Sequence, residues 1–238
     1  MIRKFDTLYQ VAFFEKVFPV NCYLVEEEDG LTLIDAALPN SAKTIVQAAK
    51  TLNKPITRIV LTHAHGDHVG ALDELKKLYP HVPVFISIRD AKLLKGDRSL
   101  EADEPQTPIK GGVPKNIQTT PDVLLKAGDQ VGSLVAIPSP GHTPGSMSFL
   151  DKRNNILIAG DAFQTRGGTA VSGQLRPFFP FPAMATWNKI KALESAQQLL
   201  KSQPKLLAVG HGKVLETPME EMKKAIHDAK QKLNYPEA

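Results

Sequence analysis

The chain has 238 residues, of which 42% are hydrophobic and 23% are charged, and its net charge is +4. This composition is ordinary for a folded protein and excludes a disordered, collagen-like or coiled-coil chain. No block of like charges indicates a nucleic-acid partner, and no apolar run approaches the ~20 residues that cross a membrane.

The single cysteine, Cys22, excludes an intrachain disulfide and lies in an apolar run, which predicts a small buried thiol. The first residues carry positive charge but lack the apolar stretch of a signal peptide, so we expect a cytoplasmic protein. The length fits a single domain over residues 1–238. The sequence does not indicate an oligomeric state.

The first third of the chain alternates predicted strands and helices. In chain order we predict one or two strands over 8–25, a hairpin turn at 26–30, a strand over 31–35, a helix from a capping Ser41 to Leu52, a strand over 58–62, one helix carrying Val69, Leu72, Leu75 and Leu78, and a strand over 82–88. The alternation is typical of βα units.

The rest of the chain contains two irregular stretches, at 96–121 and 163–186, both rich in proline and glycine. Around them we predict strands at 123–125, 134–137, 147–150, 156–159 and 206–209. One helix has Ile190, Leu193, Gln197 and Leu200 in register, and the last has Met219, Met222, Ile226, Ala229 and Leu233. The order of elements predicts an α/β or α+β layered fold.

The densest group of reactive side chains directly follows the predicted strand 58–62. His63, His65, Asp67 and His68 fall within six residues, in a loop that contains a glycine. A strand end followed by such a loop lets neighbouring side chains converge on one point. Imidazole and carboxylate ligands suit zinc, and they suit iron and manganese less selectively. The group therefore predicts a metal site.

Three further residues have the same local setting. His142, Asp161 and His211 each stand beside glycine after a predicted strand. Each is a weak signal alone, because an Asp after a strand is often a helix cap and a His beside glycine is often a turn residue. Their repetition in one setting favours metal ligands over turn residues.

The ordered set of His63-x-His65-x-Asp67-His68, His142, Asp161 and His211 resembles the metallo-β-lactamase-fold hydrolase superfamily. The resemblance covers nearly the whole chain and implies a four-layer αβ/βα sandwich, with two packed mixed β-sheets flanked by helices. It implies one metal ion bound by His63, His65 and His142, and a second bound by Asp67, His68 and His211, with Asp161 between them. Asp35 matches an acid that orients a ligand, whereas His81 and His227 match nothing and are expected at the surface.

The resemblance also implies a reaction and its cofactors. Two divalent metal ions, zinc by first choice with iron or manganese as alternatives, would hold a bridging hydroxide that attacks an ester, lactone or thioester of a small molecule. Asp67 is the candidate for passing a proton to the leaving group. Two alternatives stay open: a phosphodiesterase or ribonuclease of the RNase Z-like branch, and an iron sulfur dioxygenase with one metal ion.

The two irregular stretches are expected to form the substrate wall. Phe178 and Phe179 would supply apolar surface, unless they pack into the core, and Arg166 or Arg176 would supply a cation. Gln164 stands where acyl-homoserine lactonases carry a tyrosine, three residues after the bridging Asp. Glyoxalase II enzymes carry extra C-terminal helices, whereas this chain has one predicted helix after His211.

Overall fold

The computed structural model describes residues 2–236, which divide into two compact units. The first unit spans Met1–Asp97 and Gly112–Lys126, and the second spans Arg98–Gly111 and Ala127–Ala238. Each unit is built on one mixed β-sheet with helices, so the predicted class, α/β with two mixed sheets flanked by helices, is confirmed.

The first unit contains a seven-stranded sheet in the order β1 to β7. Its elements are β1 Ile2–Phe5, β2 Leu8–Phe13, β3 Val20–Glu27, β4 Gly30–Ile34, α1 Ala42–Thr51, β5 Ile56–Val60, α2 Gly66–Val69, α3 Leu72–Leu78, β6 Val84–Ser87, α4 Ile88–Leu94 and β7 Val123–Leu125. Strands β1 to β4 pair antiparallel, and β4 to β7 pair parallel. The carboxyl ends of β4, β5 and β6 therefore meet at one edge of this sheet.

Strands β3 and β4 are buried at almost every residue, including Cys22. Continuous apolar strands of this kind are typical of a sheet covered on both faces. Helix α1 turns Ile45, Ala48 and Ala49 into the interior, the face predicted from its periodicity. Its predicted cap was wrong, because the backbone of Ser41 is already helical and its side chain caps no N–H group.

The single helix predicted around Val69 to Leu78 was also wrong. The chain forms two short helices, α2 and α3, on either side of Gly70 and Ala71. At Gly70 the backbone passes so close to Pro39 that an added Cβ would lie 2.4 Å from the Pro39 nitrogen. The Gly70 N–H donates to Ala37 O at 2.8 Å, so this close passage interrupts the helix.

The second unit contains a six-stranded sheet, in the order β15-β14-β11-β10-β9-β8, and a two-stranded ribbon. Its elements are β8 Gln130–Val131, β9 Leu134–Pro138, β10 Met147–Asp151, β11 Ile156–Ile158, β12 Phe163–Gln164, β13 Ala170–Val171, α5 Phe181–Ala185, α6 Lys189–Leu200, β14 Leu206–Ala208, β15 Leu215–Glu216 and α7 Met219–Leu233. Strands β11 and β14 are parallel, and every other pair is antiparallel. Because β9 and β11 both pair antiparallel with β10, the carboxyl ends of β9, β11 and β14 lie at one edge.

Helices α6 and α7 pack their apolar faces into one core with Leu157, Phe163 and Val209. The face predicted for α7 is confirmed by its buried Met222, Ile226 and Ala229. The face predicted for α6 was partly wrong, because Ile190 is 49% exposed and Ala192, Ala196 and Leu199 are buried with Leu193. With this face buried, Ala192 packs against Gly141, and any side chain at position 141 would collide with the backbone of Ala192.

The stretch 96–121 contains no helix or strand, as predicted. The stretch 163–186 was wrongly predicted to be irregular throughout, because it contains β12, β13 and α5. These elements are two to five residues long, which is too short for a periodic pattern to reveal. Between residues 2 and 236, no helix has the length and apolar character needed to span a membrane.

Candidate metal centre

In the first unit, three parallel strands deliver polar side chains to the same sheet edge. Asp35 follows β4, His63 follows β5, and Asp90 lies in the first turn of α4 after β6. His63, His65 and His68 are each at most 2% exposed, whereas Asp67, in the first turn of α2, is half-buried. The three histidines of the predicted group are therefore buried in the loop that follows a strand.

The four predicted ligands of this unit lie within reach of one another. The ring of His63 has its centroid 4.9 Å from that of His65 and 4.0 Å from that of His68. One ring nitrogen of His63 lies within 4.8 Å of one in His65 and one in His68, and a carboxylate oxygen of Asp67 lies within the same distance of His68. This spacing suits side chains that share one or two cations.

Asp35 orients two of these rings. Its Oδ1 accepts a hydrogen bond from the Thr62 N–H at 2.7 Å, and its Oδ2 accepts one from the Thr62 hydroxyl at 2.8 Å. Oδ2 also lies 2.8 Å from His68 Nδ1, which donates to it. Because the Thr62 hydroxyl donates to Asp35, its oxygen accepts from His63 Nδ1 at 3.1 Å. In their neutral forms, both rings then carry the ligand lone pair on Nε2.

Asp90 holds the loop between these histidines. Its Oδ2 accepts a hydrogen bond from the Ala64 N–H at 2.9 Å, and its side chain is fully buried. The Ser87 hydroxyl accepts from the Asp90 N–H at 3.0 Å and caps α4. The start of α4 and the histidine loop are therefore tied together by one carboxylate.

In the second unit, β9, β11 and β14 lead to His142, Asp161 and His211. All three are at most 4% exposed. Asp161 Oδ2 lies 3.3 Å from His142 Nε2 and 3.1 Å from His211 Nε2. One carboxylate oxygen thus stands between two imidazole nitrogens.

Two glycines allow the loops that carry these histidines. Gly141 has φ +141°, and an added Cβ would lie 2.3 Å from the Ala192 backbone on α6. Gly212 has φ +115°, and an added Cβ would lie 2.3 Å from Thr165 Oγ1. Both the conformation and the close approach require glycine, so the glycines beside these histidines serve the backbone.

The orientation of His142 is fixed by a chain of hydroxyl groups. The Thr186 hydroxyl donates to Pro182 O at 2.7 Å, so its oxygen accepts from Ser172 Oγ at 2.9 Å. Ser172 Oγ in turn accepts from His142 Nδ1 at 3.0 Å. This order of donors places the Nδ1 proton on His142 and leaves a lone pair on its Nε2. Hydrogen bonds of this kind commonly orient histidine ligands of metal ions.

The pair of His142 Nε2 and Asp161 Oδ2 identifies what this cluster needs. Both atoms are acceptors, and two acceptors 3.3 Å apart repel each other unless a proton or a cation lies between them. His211 Nε2 lies 3.1 Å from the same oxygen, so a proton or cation is needed at this oxygen. Imidazole and carboxylate are the ligand types that zinc, iron and manganese take in proteins, so the donor set fits a metal ion.

The residues expected to contact substrate fall in different places. Gln164 is 2% exposed, and among the described residues neither of its amide atoms has a hydrogen-bond partner. Phe179 is 1% exposed with its ring 5.4 Å from that of His211, whereas Phe178 is 87% exposed. Arg166 and Arg176 are half-buried.

Arg176 uses one guanidinium nitrogen to donate to the Thr169 carbonyl. The Arg176 side chain also lies beside Gly168, so it packs against the residues that precede β13. The two isolated histidines, His81 and His227, are exposed as predicted. Cys22 is fully buried, and burial, reinforced by the charge of Asp35, raises the pKa of its thiol far above the usual range, so it is no nucleophile.

Four supporting residues were not found from the sequence: Thr62, Asp90, Ser172 and Thr186. The Ser87-x-x-Asp90 pattern that opens a helix is a capping signal and could have revealed α4. Ser172 and Thr186 are 30 and 44 residues from His142 along the chain and lie in the irregular stretch. No local pattern marks such contacts.

Comparison with known proteins gives the chain a family context. Residues 16–211 match the family model described as the metallo-beta-lactamase superfamily. The uncharacterized protein YobT of Bacillus subtilis is 63% identical over 229 residues, which cover 96% of this chain and 98% of YobT. The probable metallo-hydrolase YflN of the same organism is 30% identical, over 81% of this chain and 80% of YflN.

Two further matches bear on chemistry and fold. The hydroxyacylglutathione hydrolase of Bartonella tribocorum is 34% identical over 61% of this chain, and the match covers 51% of that enzyme. The crystal structure of TTHA1623 in a di-iron-bound form superimposes with a TM-score of 0.65 and 26% identity, over 89% of this chain and 96% of TTHA1623.

Proposed function

The chain belongs to the metallo-beta-lactamase superfamily and is a metal-dependent hydrolase, and from this premise we propose that it cleaves an ester, lactone or thioester of a small molecule at a site with two divalent metal ions. The seven proposed ligands are His63, His65, Asp67, His68, His142, Asp161 and His211. The superfamily supports one ion at His63, His65 and His142, and a second at Asp67, His68 and His211, with Asp161 bound to both. The location in the cytoplasm stays a prediction.

The observation that carries this proposal is the position of Asp161 Oδ2 between two imidazole nitrogens, at 3.3 and 3.1 Å. The hydroxyl chain that ends at Pro182 O keeps the His142 proton on Nδ1, so Nε2 faces the carboxylate as an acceptor. A bound cation removes the repulsion between these acceptors. A turn or capping role for Asp161 would not explain this arrangement.

In the reaction, divalent ions would supply Lewis acidity, which activates water and polarises the scissile carbonyl. The protein orients the ligands through Asp35, which fixes His68 and, through Thr62, His63. Ser172 does the same for His142. Asp67 is half-buried in the first turn of α2 and is proposed to hand a proton to the leaving group.

Substrate class is the finer part of the proposal. The match to a hydroxyacylglutathione hydrolase supports an acyl substrate, a thioester among them. Gln164 has buried donor and acceptor atoms without partners among the described residues, which suits binding of an ester or amide group of the substrate. Phe179 beside His211 would offer an apolar wall, with Phe178, Arg166 and Arg176 as outer contacts.

Zinc is the first choice of metal from the ligand types, and iron is the main alternative. The di-iron-bound form of TTHA1623 supports iron as an occupant of a related fold. Imidazole and carboxylate ligands do not discriminate strongly between these ions. Metal analysis after expression with each metal supplied separately would decide between them.

The proposal is tested by a hydrolysis screen on purified, metal-loaded protein. The panel contains an aryl ester, a lactone, lactoylglutathione and a bis-aryl phosphate, each measured with the wild type and with Asp161→Asn. We expect one acyl substrate to be cleaved and the variant to lose about 10³-fold or more in kcat/KM, a loss typical of removing a central stabilising group. Normal turnover in the variant would refute the assignment, and cleavage of the phosphate alone would point to the phosphodiesterase branch.

A further inference from the structure

A cavity lies in the second unit, formed by residues of that unit alone. It has a volume of about 270 Å³ and is lined by the turn at 172–175, the first residue of α6 and the C-terminal end of α7. Drug-sized ligands occupy cavities of ~300–1,000 Å³, so this one suits a smaller molecule. The superfamily assignment gives it no role.

The charge of the cavity is positive. Lys189 and Lys232 both line it, and among residues 2–236 no carboxylate is part of the lining. Within residues 2–236, neither lysine forms an ion pair. Two lysines in the wall of one small cavity, with no acidic partner among the described residues, favour an anionic ligand.

A buried amide side chain forms part of the wall of this cavity. Gln174 lines the cavity and is 6% exposed. Its Oε1 accepts from the Val171 N–H at 2.6 Å, but its Nε2 has no hydrogen-bond partner among the described residues. Buried donors are almost always paired, so this amide group is suited to a ligand acceptor.

The backbone adds to the attraction for an anion. The twelve-residue helix α6 begins at Lys189 and has no acidic residue in its first turn, so the positive end of its dipole is not offset. The stem of Lys189 packs over the turn, where a Cβ at Gly173 would lie 2.7 Å from its Cγ. Lys232, in the last turn of α7, offsets the negative end of that helix.

The remaining wall is apolar, formed by Leu175, Leu233 and Ala229. A free phosphate or sulfate would leave this wall in contact with water. An acid with a short hydrocarbon body would cover it while its carboxylate meets the lysines and Gln174. We propose that the cavity is a binding site for a short-chain monocarboxylate.

The proposed acid site is distinct from the proposed metal ligands and does not depend on the hydrolase assignment. Its nearest link to them is Ser172, which lines the cavity and accepts a hydrogen bond from His142 Nδ1. A carboxylate could also bind to metal ions directly. The experiment therefore has to locate the bound acid as well as detect it.

The test is a titration of metal-loaded, ¹⁵N-labelled protein with hexanoate, followed by amide chemical shifts, with 1-hexanol as the neutral control. We expect shifts at residues 172–175, 189 and 229–233 that saturate at on the order of millimolar hexanoate, as expected for so small a ligand. Hexanol should bind at least about 5-fold more weakly, because it lacks the charge that the lysines attract. Shifts confined to residues 63–68 and 211, or equal binding of hexanol, would overturn the proposal.

Variants make the test sharper. Lys232→Ala should weaken hexanoate binding by about 3- to 10-fold, whereas Lys224→Ala, the same charge change on an exposed part of α7, should leave it unchanged. Gln174→Glu keeps an oxygen for the Val171 N–H but replaces the donor by a carboxylate oxygen, so binding should fall by about 10-fold or more. Equal affinity in Lys232→Ala and Lys224→Ala would contradict the inference whether or not Gln174→Glu folds.

Discussion

Asp35 is the residue on which the orientation of two proposed ligands depends. It lies at the end of β4, accepts from both Thr62 donors and accepts from His68 Nδ1. Replacing its carboxylate removes a charged acceptor for the imidazole N–H without removing a proposed ligand. Partners of this kind typically contribute 10- to 100-fold to metal affinity.

We therefore predict that Asp35→Asn lowers zinc affinity by about 10- to 100-fold, measured by competition with a chromophoric chelator. Asp29→Asn is the matched control, because Asp29 is an exposed acid of the same unit that pairs with Arg58. It should bind zinc like the wild type. Equal affinities in all three proteins would show that Asp35 does not orient a metal ligand.

The metal-ligand candidates themselves could be picked out in the sequence because of their shared local setting. Four lie in the glycine-containing loop after one apolar strand, and the other three each stand beside a glycine after a further strand. Their supporting residues could not be predicted. Thr62 and Asp90 act on the histidine loop through contacts to Asp35 and Ala64 that are 26 or 27 residues apart in sequence. A hydroxyl or carboxylate in such a position resembles an ordinary surface residue until the fold brings it to its partner.

Gly212 allows the close packing of the loop that carries the proposed ligand His211. It has φ +115°, and an added Cβ would lie 2.3 Å from Thr165 Oγ1. Gly128 has φ +82°, but an added Cβ there would meet no atom within 4 Å. An alanine at either position would suffer the strain of a positive φ, but only the one at position 212 would also collide with a neighbouring atom.

We predict that Gly212→Ala lowers the free energy of unfolding by about 3 kcal/mol or more, since it adds a collision to the strain of a positive φ. Gly128→Ala should lose only about 1–2 kcal/mol, from the strain alone. Urea denaturation of both variants measures the difference. Equal losses would mean that the loop after His211 shifts without cost and that Gly212 is not required for its position.

Two carboxylates at the edge of the first unit predict how stability responds to acid. Burial would raise the pKa of Asp73, but hydrogen bonds from Gln118 N and from the hydroxyl and N–H of Thr119 outweigh it and lower the pKa. Burial would also raise the pKa of Asp122. Hydrogen bonds from the Val84 N–H and from Lys76 outweigh burial, so the pKa is lowered. Each acid thus binds its proton less readily in the folded chain than in the unfolded chain.

A lowered pKa stabilises the fold above the unfolded pKa of ~3.9, and this stabilisation is lost as the pH falls through the folded value. We predict that the free energy of unfolding decreases as the pH falls below about 4 and that Asp73→Asn makes this decrease shallower. Asp103→Asn, at an exposed acid in the irregular stretch, is the charge-matched control with which the slope of Asp73→Asn is compared. Urea denaturation at several pH values measures the slopes, and an identical slope in Asp73→Asn would refute the explanation.

The elements that periodicity predicted well are those with continuous apolar runs, such as β4 and β5, and the long amphipathic α7. Two examples show why other features were missed. Strands such as β8 and β15 have two residues each and exist because a longer neighbour pairs with them. The buried face of α6 is set by the close approach of Gly141 to Ala192, which outweighs the apolar character of Ile190.

At the scale of the whole molecule, the two units contribute different ligands to the proposed pair of ions. Of the seven proposed ligands, His63, His65, Asp67 and His68 belong to the first unit, and His142, Asp161 and His211 belong to the second. A ligand that binds the folded chain and not the unfolded one raises its stability by mass action. Metal binding should therefore raise the stability of the folded chain.

We predict that removal of metal by a chelator lowers the melting temperature by several degrees and that restoring zinc reverses the change. Lys224→Ala, which removes an exposed charge on α7, should show the same metal-dependent shift as the wild type. His142→Ala should show a much smaller shift. A melting temperature unaffected by chelation in the wild type would contradict a stabilising metal site.

The most direct test of the central claim, that seven side chains bind two metal ions, is the metal content of purified protein after saturation and desalting. Elemental analysis should find two equivalents of zinc or iron per wild-type chain and at most one in Asp161→Asn, with both proteins folded by circular dichroism. A folded wild-type protein that retains no transition metal, or a variant that retains two equivalents, would contradict the claim.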